Sequence, residues 1–413
     1  MKVRRIKPMK PINISLVSAF AIGATIIALW VSGCTQPTKA PEKEYVMEQI
    51  SGGSYPKFTD DMTYDGLAHS ILKNLSYLEK IPIDRQFAYG KDHYTTEHLI
   101  RSSQYFLDFV QTRPTADELN QFIRSNYRVY RSVGRNGRGE VLYTGYYEPH
   151  LRGGLSPNGE NRFPIYAKPP DLISVDLSLF KEEYAGERII ARYADQKVLP
   201  YYDRSKIDYE GVLKGNTEVL AWVEDPIDVF FLQIQGSGKI YLDSGDVLNV
   251  HYHTSNGRPY RSIGKLLIDK EKITVKEMSM QKIREYLDSH PDEIKEVFNY
   301  NPSYVFFQIE PDGPLGNINV KLTPGRSIAL DRRIFPKAAL CFIETEKPIV
   351  DGAGRIQSWR RFTRFAMNQD TGGAIRGPGR ADIFWGNGPY AEIAAGHLKH
   401  TGNLYFLVLK PGH

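Results

Sequence analysis

A change of hydrophobic period near residue 127 constrains this chain more than any other feature. Leu67, Ile71, Leu75 and Leu78 recur at helical spacing, and Leu99, Phe106 and Val110 do so again behind Thr95-Thr96. Thr115 followed by Glu118 is a capping-box pattern that opens a third helix, so residues 63–126 read as helical. Beyond them come short apolar runs punctuated by turns, in a chain holding 35 Gly and 25 Pro. Tyr127 to Val133 and Glu140 to Tyr147 flank a Gly-rich turn and predict a hairpin. Further strands are expected at Phe163 to Ala167, Val219 to Val223, Val229 to Gln235, Lys239 to Leu242 and Tyr304 to Ile309. Others fall at Ala338 to Glu344, Arg361 to Met367 and Leu404 to Leu409. Met280, Ile283 and Leu287 mark one or two helices between Ser279 and Asn299. At 413 residues such a pattern predicts a mainly β protein with N-terminal helices, in two to three domains or one large domain with an insertion.

The N-terminus reads as an address. Five basic residues precede Ile12, an apolar run extends from Leu16 to Trp30, and Val31-Ser32-Gly33-Cys34 follows. This resembles a bacterial lipoprotein signal, which implies cleavage before Cys34 and lipid on its side chain. An uncleaved membrane anchor is the competing reading of the same run. With Thr35 after the Cys, the resemblance implies the periplasmic face of a Gram-negative outer membrane. Residues 1–33 are then the signal peptide, and 34–60 the lipidated Cys with a Pro-, Lys- and Glu-rich tether.

Charge and cysteine usage exclude several classes. Of the 53 basic residues, five lie in the signal, and those remaining equal the 48 acidic ones in number. A neutral mature chain offers no electrostatic footprint for nucleic acid. Cys341 has no partner once Cys34 is lipidated, so the chain is not a disulfide scaffold, and Cys341 reads as a small buried hydrophobe. His251-x-His253 lacks a third ligand at a usual spacing and reads as surface histidines; no metal or cofactor is expected. The phosphate-binding Gly motifs do not occur, and Gly236-Ser237-Gly238 lacks the spacing of a nucleophile elbow and leads into an expected strand rather than a helix.

The densest polar, Gly-rich stretch runs from Gln369 to Gly388 behind the apolar run Phe362 to Met367. Asp370 stands at the strand end, and Gly372, Gly373, Gly377 and Gly379 let the backbone turn tightly. Asp382 leads into Phe384-Trp385, apolar neighbours that would raise a carboxyl pKa as a general acid requires. An Asp beside Gly is also a common turn former.

Three aspartates in this frame resemble the 3D domain: Asp331 in Asp331-Arg332-Arg333-Ile334-Phe335-Pro336, Asp370 in Asp370-Thr371-Gly372-Gly373-Ala374-Ile375-Arg376-Gly377, and Asp382 before Phe384-Trp385-Gly386. Upstream, Thr144 to Pro149, Phe163 to Tyr166, Gln233 to Gly238 and Tyr260 to Lys265 resemble the remaining blocks of the membrane-bound lytic murein transglycosylase A family. Lys337-Ala338-Ala339 departs from the Gly-Thr often found there. The resemblance implies a discontinuous double-psi β-barrel, from residues 61–146 and the C-terminal 3D part 311–413, with a second β domain inserted at 147–310. It implies non-hydrolytic cleavage of peptidoglycan glycan strands to 1,6-anhydro-muramic acid ends, without cofactors. Asp382 would be the acid and then base, Asp370 its supporting carboxylate, and Asp331, Gly372 and Gly373 structural. Thr144, Tyr146, Gln235, Ser237 and Trp385 would contact the glycan, the aromatics by presenting flat faces to sugar rings. An inverting hydrolase using Asp370 and Asp382, and a non-catalytic peptidoglycan-binding lipoprotein, remain open alternatives.

Overall fold

Helix formation at the start of the chain follows the predicted signals. A computed structural model describes residues 45–135 and 137–412. The expected signal peptide and Cys34 lie outside these residues. Helix α1 (Leu67–Leu78), α2 (Thr96–Gln111) and α3 (Ala116–Asn126) bury the anticipated apolar stripes. Thr95 caps α2 through the His98 N–H, and Thr115 and Glu118 form a reciprocal capping box on α3. Between α1 and α2 the helical reading fails. Gln86–Tyr89 and Asp92–Thr95 form a small antiparallel hairpin around Gly90, whose φ of +61° suits glycine. Its alternation spans only four residues a side, too short to outweigh the flanking helical pattern.

Six strands close into a ring. They are β1 (Val141–Tyr146), β2 (Ser327–Ala329), β3 (Leu340–Val350), β4 (Ile356–Asp370), β5 (Arg380–Phe384) and β6 (His400–Leu409). Pairing runs β1–β6–β3–β4–β2–β5 and returns to β1, with β2–β4 and β5–β1 parallel and the other pairs antiparallel. Closure leaves the ring without a free edge. Inside lie Ile328, Cys341, Ile343, Ala366, Ile383 and Phe406, all almost fully buried. Helices α1–α3 cover the outer face of β3, β4 and β6 through Leu67, Ile71, Phe106, Phe342, Phe365 and Met367. The protein is therefore mainly β, with helices on one flank of a closed barrel.

Two expectations near the barrel are corrected. Tyr127–Ser132 and β1 do not pair as a hairpin beyond a bridge between Arg135 and Glu140. Strand β6 lies between them, its Tyr405–Leu409 half pairing with Tyr127–Arg131 and its His400–Gly402 end with β1. The apolar content of both strands was legible, but a partner some 270 residues away was not. The tether, expected to extend to residue 60, is shorter. Met47–Gln49 already pairs with Tyr130–Ser132, and Phe58 is fully buried against Phe342 and Phe365. Asp60 makes a two-pronged, fully buried ion pair with Arg326, at 2.6 and 2.8 Å. A buried charge left alone would cost several kcal/mol, so this pair fixes the segment before α1 to the start of β2, and the Phe365 N–H of β4 donates to Asp60 as well.

Residues 150–310 supply a second six-stranded sheet, ordered Val305–Glu310, Val247–Ser255, Ser237–Leu242, His150–Gly154, Val219–Val223 and Phe163–Tyr166. Val229 to Gln235, expected as a strand, is instead helix α4 (Pro226–Gln235). Asp225 caps the Ile227 N–H, Pro226 occupies the first turn, and Gly236 closes the helix at φ +81°. Its apolar run is continuous because both sides are covered: Val229 and Leu232 face the sheet, while Phe230 and Phe231 meet α5 (Met280–Ser289) and its neighbours.

Asp331 anchors the Gly-rich loop between β4 and β5. Its carboxylate accepts from Arg333 at 2.7 and 2.9 Å and from the Gly377 N–H at 2.9 Å. Although burial opposes ionisation, these bonds bring its pKa down from 3.8 to about 2. A depressed folded-state pKa stabilises above the unfolded value and is lost as pH falls through the folded one. Asp331→Asn should therefore cost about 2 kcal/mol at neutral pH by urea unfolding, a deficit that shrinks below pH 4 and disappears near pH 2. A deficit independent of pH would contradict the assignment.

Candidate active site

A bulge on β4 creates the site. Ile328 of β2 pairs with Asn368, but Ala329 pairs with Asp370, leaving Gln369 as an extra residue. Without it, strand alternation would turn Asp370 toward the barrel interior, the side that Ile328 faces. With it, Asp370 joins Ala329 on the outer face. Gln369 is fully buried and held by α1: its Nε2 donates to the Ser70 carbonyl at 3.1 Å and to Asn74 Oδ1 at 2.8 Å, and its Oε1 accepts from Ser327.

The same register carries the row onward. Ala329 pairs with Asp382 on β5, and Asp382 with Thr144 on β1. Asp370, Ala329, Asp382 and Thr144 thus share one face across four strands. Arg380 and Tyr146 flank the row, each two residues from a member of it and so on the same side.

The two carboxyls are held differently. Asp370 Oδ1 accepts from the Thr371 N–H at 2.8 Å and the Asn317 N–H at 3.0 Å, and Oδ2 from the Tyr146 hydroxyl at 2.8 Å. Burial nevertheless lifts its pKa to about 6, opposed by those three bonds and assisted by the charge of Asp382. Asp382 Oδ1 is buried without a hydrogen-bond partner among the described residues, while the side chain as a whole is 20% exposed. Burial lifts this carboxyl also to about 6, with Arg380 pulling the other way. One carboxyl is therefore tied in place, and the other is free to exchange a proton near neutral pH.

Other sequence-predicted residues fall into two groups. Gln235 ends α4 and lies on the seam between the sheets, its Oε1 accepting from the Tyr147 N–H at 3.0 Å. Ser237 is buried at the start of its strand in the second sheet. Trp385 is a correction. It is 8% exposed, edge-on to Phe362 and Tyr390, with the Arg364 guanidinium 5.8 Å from its ring. Strand alternation turns it to the interior, so it presents no flat face to a sugar. Gly145 is required there, since a Cβ would come within 2.6 Å of the indole nitrogen. Gly372 would crowd Ile375 if it carried a side chain, whereas Gly373 is open.

Arg380 and Tyr260 were not singled out from sequence as site residues. Arg380 Nη2 donates to Thr144 Oγ1 at 3.1 Å. Tyr260 comes from the second sheet's side, in the loop before the helix Ile263–Asp269. Partial burial raises its phenol pKa, the residue remaining 41% exposed, and the Asp382 charge adds to that. Neither residue lies in a periodic pattern that marks it; strand register brings Arg380 beside Asp382, and the packing of the second sheet's loop brings Tyr260 near it. Among the described residues no group of three His, Cys, Asp or Glu side chains could hold a metal ion.

Residues 142–308 match the family profile of the MltA specific insert domain, and residues 326–408 that of the 3D domain. The chain is 34% identical over 286 residues to membrane-bound lytic murein transglycosylase A of Escherichia coli (strain K12), covering 68% of this chain and 70% of that one. To the enzyme of the same name from Vibrio cholerae it is 28% identical over 311 residues, covering 72% and 76%. The crystal structure of a membrane-bound lytic murein transglycosylase from Agrobacterium tumefaciens superposes with a TM-score of 0.72 at 28% identity, over 88% of this chain and 98% of that one. The E. coli MltA structure with bound chitohexaose gives a TM-score of 0.67 at 26% identity, over 90% and 98%.

Removing the phenol that holds Asp370 should be measurable. In Tyr146→Phe the Asp370 carboxyl, read by carbon-13 NMR, should titrate above pH 6, because the lost bond favoured the ionised form. An unchanged titration would mean that the bond does not form.

Proposed function

The chain belongs to the membrane-bound lytic murein transglycosylase A family, and from that premise we propose that Asp382 alone carries the proton chemistry of peptidoglycan cleavage. The substrate bond is the β-1,4 link between N-acetylmuramic acid and N-acetylglucosamine. Asp382 donates its proton to the leaving O4 as the C1–O4 bond breaks. The muramyl 6-hydroxyl forms the new C1–O6 bond, and its proton returns to Asp382. No water is consumed, and the enzyme ends the cycle in its starting protonation state. Because the nucleophile is part of the substrate, proximity supplies acceleration that a second carboxylate gives in ordinary glycosidases.

The observation that carries this reading is the contrast between the two carboxyls. Three of the acceptor positions on Asp370 are filled by Tyr146, Asn317 and Thr371, which suits a positioning role. Asp382 keeps an oxygen with no partner among the described residues and a pKa of about 6, which suits a donor that must also accept. Thr144 and Tyr146 on the barrel side, with Gln235 and Ser237 on the second sheet, are our candidates for glycan contacts. Asp331, Gly372 and Gly373 shape the loop between β4 and β5. We read residues 147–310 as an inserted domain in a barrel that begins near Tyr45. The relatives are membrane-bound murein enzymes, which supports a lipid on Cys34 and a site of action in the periplasm.

Digesting purified murein sacculi and weighing the products tests the reading. Wild type should release anhydro-muropeptides; reducing ends would favour the hydrolase, and no release the binding protein. Asp382→Asn should lose at least 1,000-fold in rate, on the order expected for a lost general acid, and still bind glycan. Full activity in that variant would overturn the assignment. The acid form is needed to start the reaction, so kcat/KM should fall as pH rises through about 6. A profile flat to pH 8 would contradict it.

A further inference from the structure

Arg380 has no part in the mechanism above, yet it is placed with care. It precedes Asp382 by two residues on β5, and Thr144 is the register partner of Asp382 on β1. The three side chains therefore form a triangle on one face. Arg380 Nη2 donates to Thr144 Oγ1 at 3.1 Å, and the same nitrogen stands 3.8 Å from Asp382 Oδ1, too far for a hydrogen bond. That oxygen has no other partner among the described residues.

We propose that Thr144 is a latch that holds the Arg380 guanidinium at a stand-off from Asp382, so that the ion pair forms only after Asp382 has given up its proton. The proposal rests on the reading of Asp382 as acid and base, and adds a positioning pair to it. At 3.8 Å the guanidinium favours the carboxylate without claiming it, and burial still holds the pKa at about 6. Once the proton has moved to the leaving oxygen, closure by less than 1 Å would convert the stand-off to a charge-assisted hydrogen bond, roughly twice as strong as a neutral one. The charge that develops on Asp382 would then be met by a donor already in place. The sequence resemblance implied glycan contact for Thr144; the geometry adds that its hydroxyl is engaged as an acceptor for Arg380.

The other titratable groups facing Asp382 are Asp370 from β4, Tyr146 from β1 and Tyr260 from the second sheet's loop. None of these three is a cation. They oppose ionisation of Asp382 or leave it unchanged, whereas the Arg380 charge favours it; among the described residues Arg380 is the cation facing this carboxyl.

Two substitutions should move the same titration in opposite directions. Thr144→Val frees Arg380 to pair with Asp382, and the Asp382 carboxyl, followed by carbon-13 NMR in the free protein, should titrate about one unit lower. Arg380→Met removes the cation, and the titration should move about one unit higher. Thr144→Ser keeps the hydroxyl and should restore the wild-type value; Thr144→Ala offers a second removal of it. In turnover, Arg380→Met should lower kcat about tenfold at pH 5, where Asp382 is protonated in both proteins, because the carboxylate loses one charge-assisted bond. Loss of a glycan contact alone would raise KM and leave the titration where it is. Shifts in the same direction, or no shift in Thr144→Val and Thr144→Ala, would overturn the latch. The NMR titration needs no turnover, so it decides this point even if the sacculus digestion fails.

Discussion

Everything in the site depends on one extra residue in one strand. Gln369 breaks the alternation of β4, and Asp370 emerges on the face that β2, β5 and β1 already share with Asp382 and Thr144. A bulge leaves its extra residue unpaired in the ladder, and a buried polar side chain there needs other partners. Here Ser70 and Asn74 of α1 and Ser327 of β2 supply them, all within the core. The N-terminal helices therefore do more than cover the barrel's outer face: α1 fixes the register on which the carboxyl row rests.

Burial and hydrogen bonding divide three aspartates of one motif into three states. All are penalised by desolvation, and the outcome is set by what opposes it. Asp331 meets a two-pronged guanidinium and backbone donors and falls to about 2. Asp370 has three neutral donors, and Asp382 has one cation at arm's length; both stay near 6. Partner identity and distance, more than depth, thus separate a structural anchor from groups able to move protons at neutral pH.

The second sheet meets the barrel by polar links across a seam. Tyr147 donates to Gln235, Asn387 to Glu148, and Gln281 to the Glu392 carbonyl. Lys239 stands 3.8 Å from the buried Glu148. Met280 of α5 adds an apolar contact, packing against the barrel core as well as against its own helical cluster. Across this junction the Asp382 charge reaches Tyr260.

Local chemistry was legible in the sequence, and long-range pairing was not. The three helices, the N-caps of α2 and α3, nine of the nineteen strands among the described residues and the Gly-rich frame around Asp370 and Asp382 follow from periodicity, capping and turn rules that act within a few residues. The family blocks then singled out the two aspartates. Reading α4 as a strand failed because a run buried on both sides has no period to read. The hairpin at 127–147 failed because β6, far along the chain, takes the place between its arms. Trp385 was misassigned because facing in or out depends on register, which a one-residue shift inverts. Sequence determined which residues could carry charge, turn tightly or bury a stripe. Tertiary structure alone decided that Thr144, Arg380, Asp370 and Asp382 meet on one face, because their neighbourhood is created by strands paired across more than 200 residues and by a bulge whose partners lie on a separate helix.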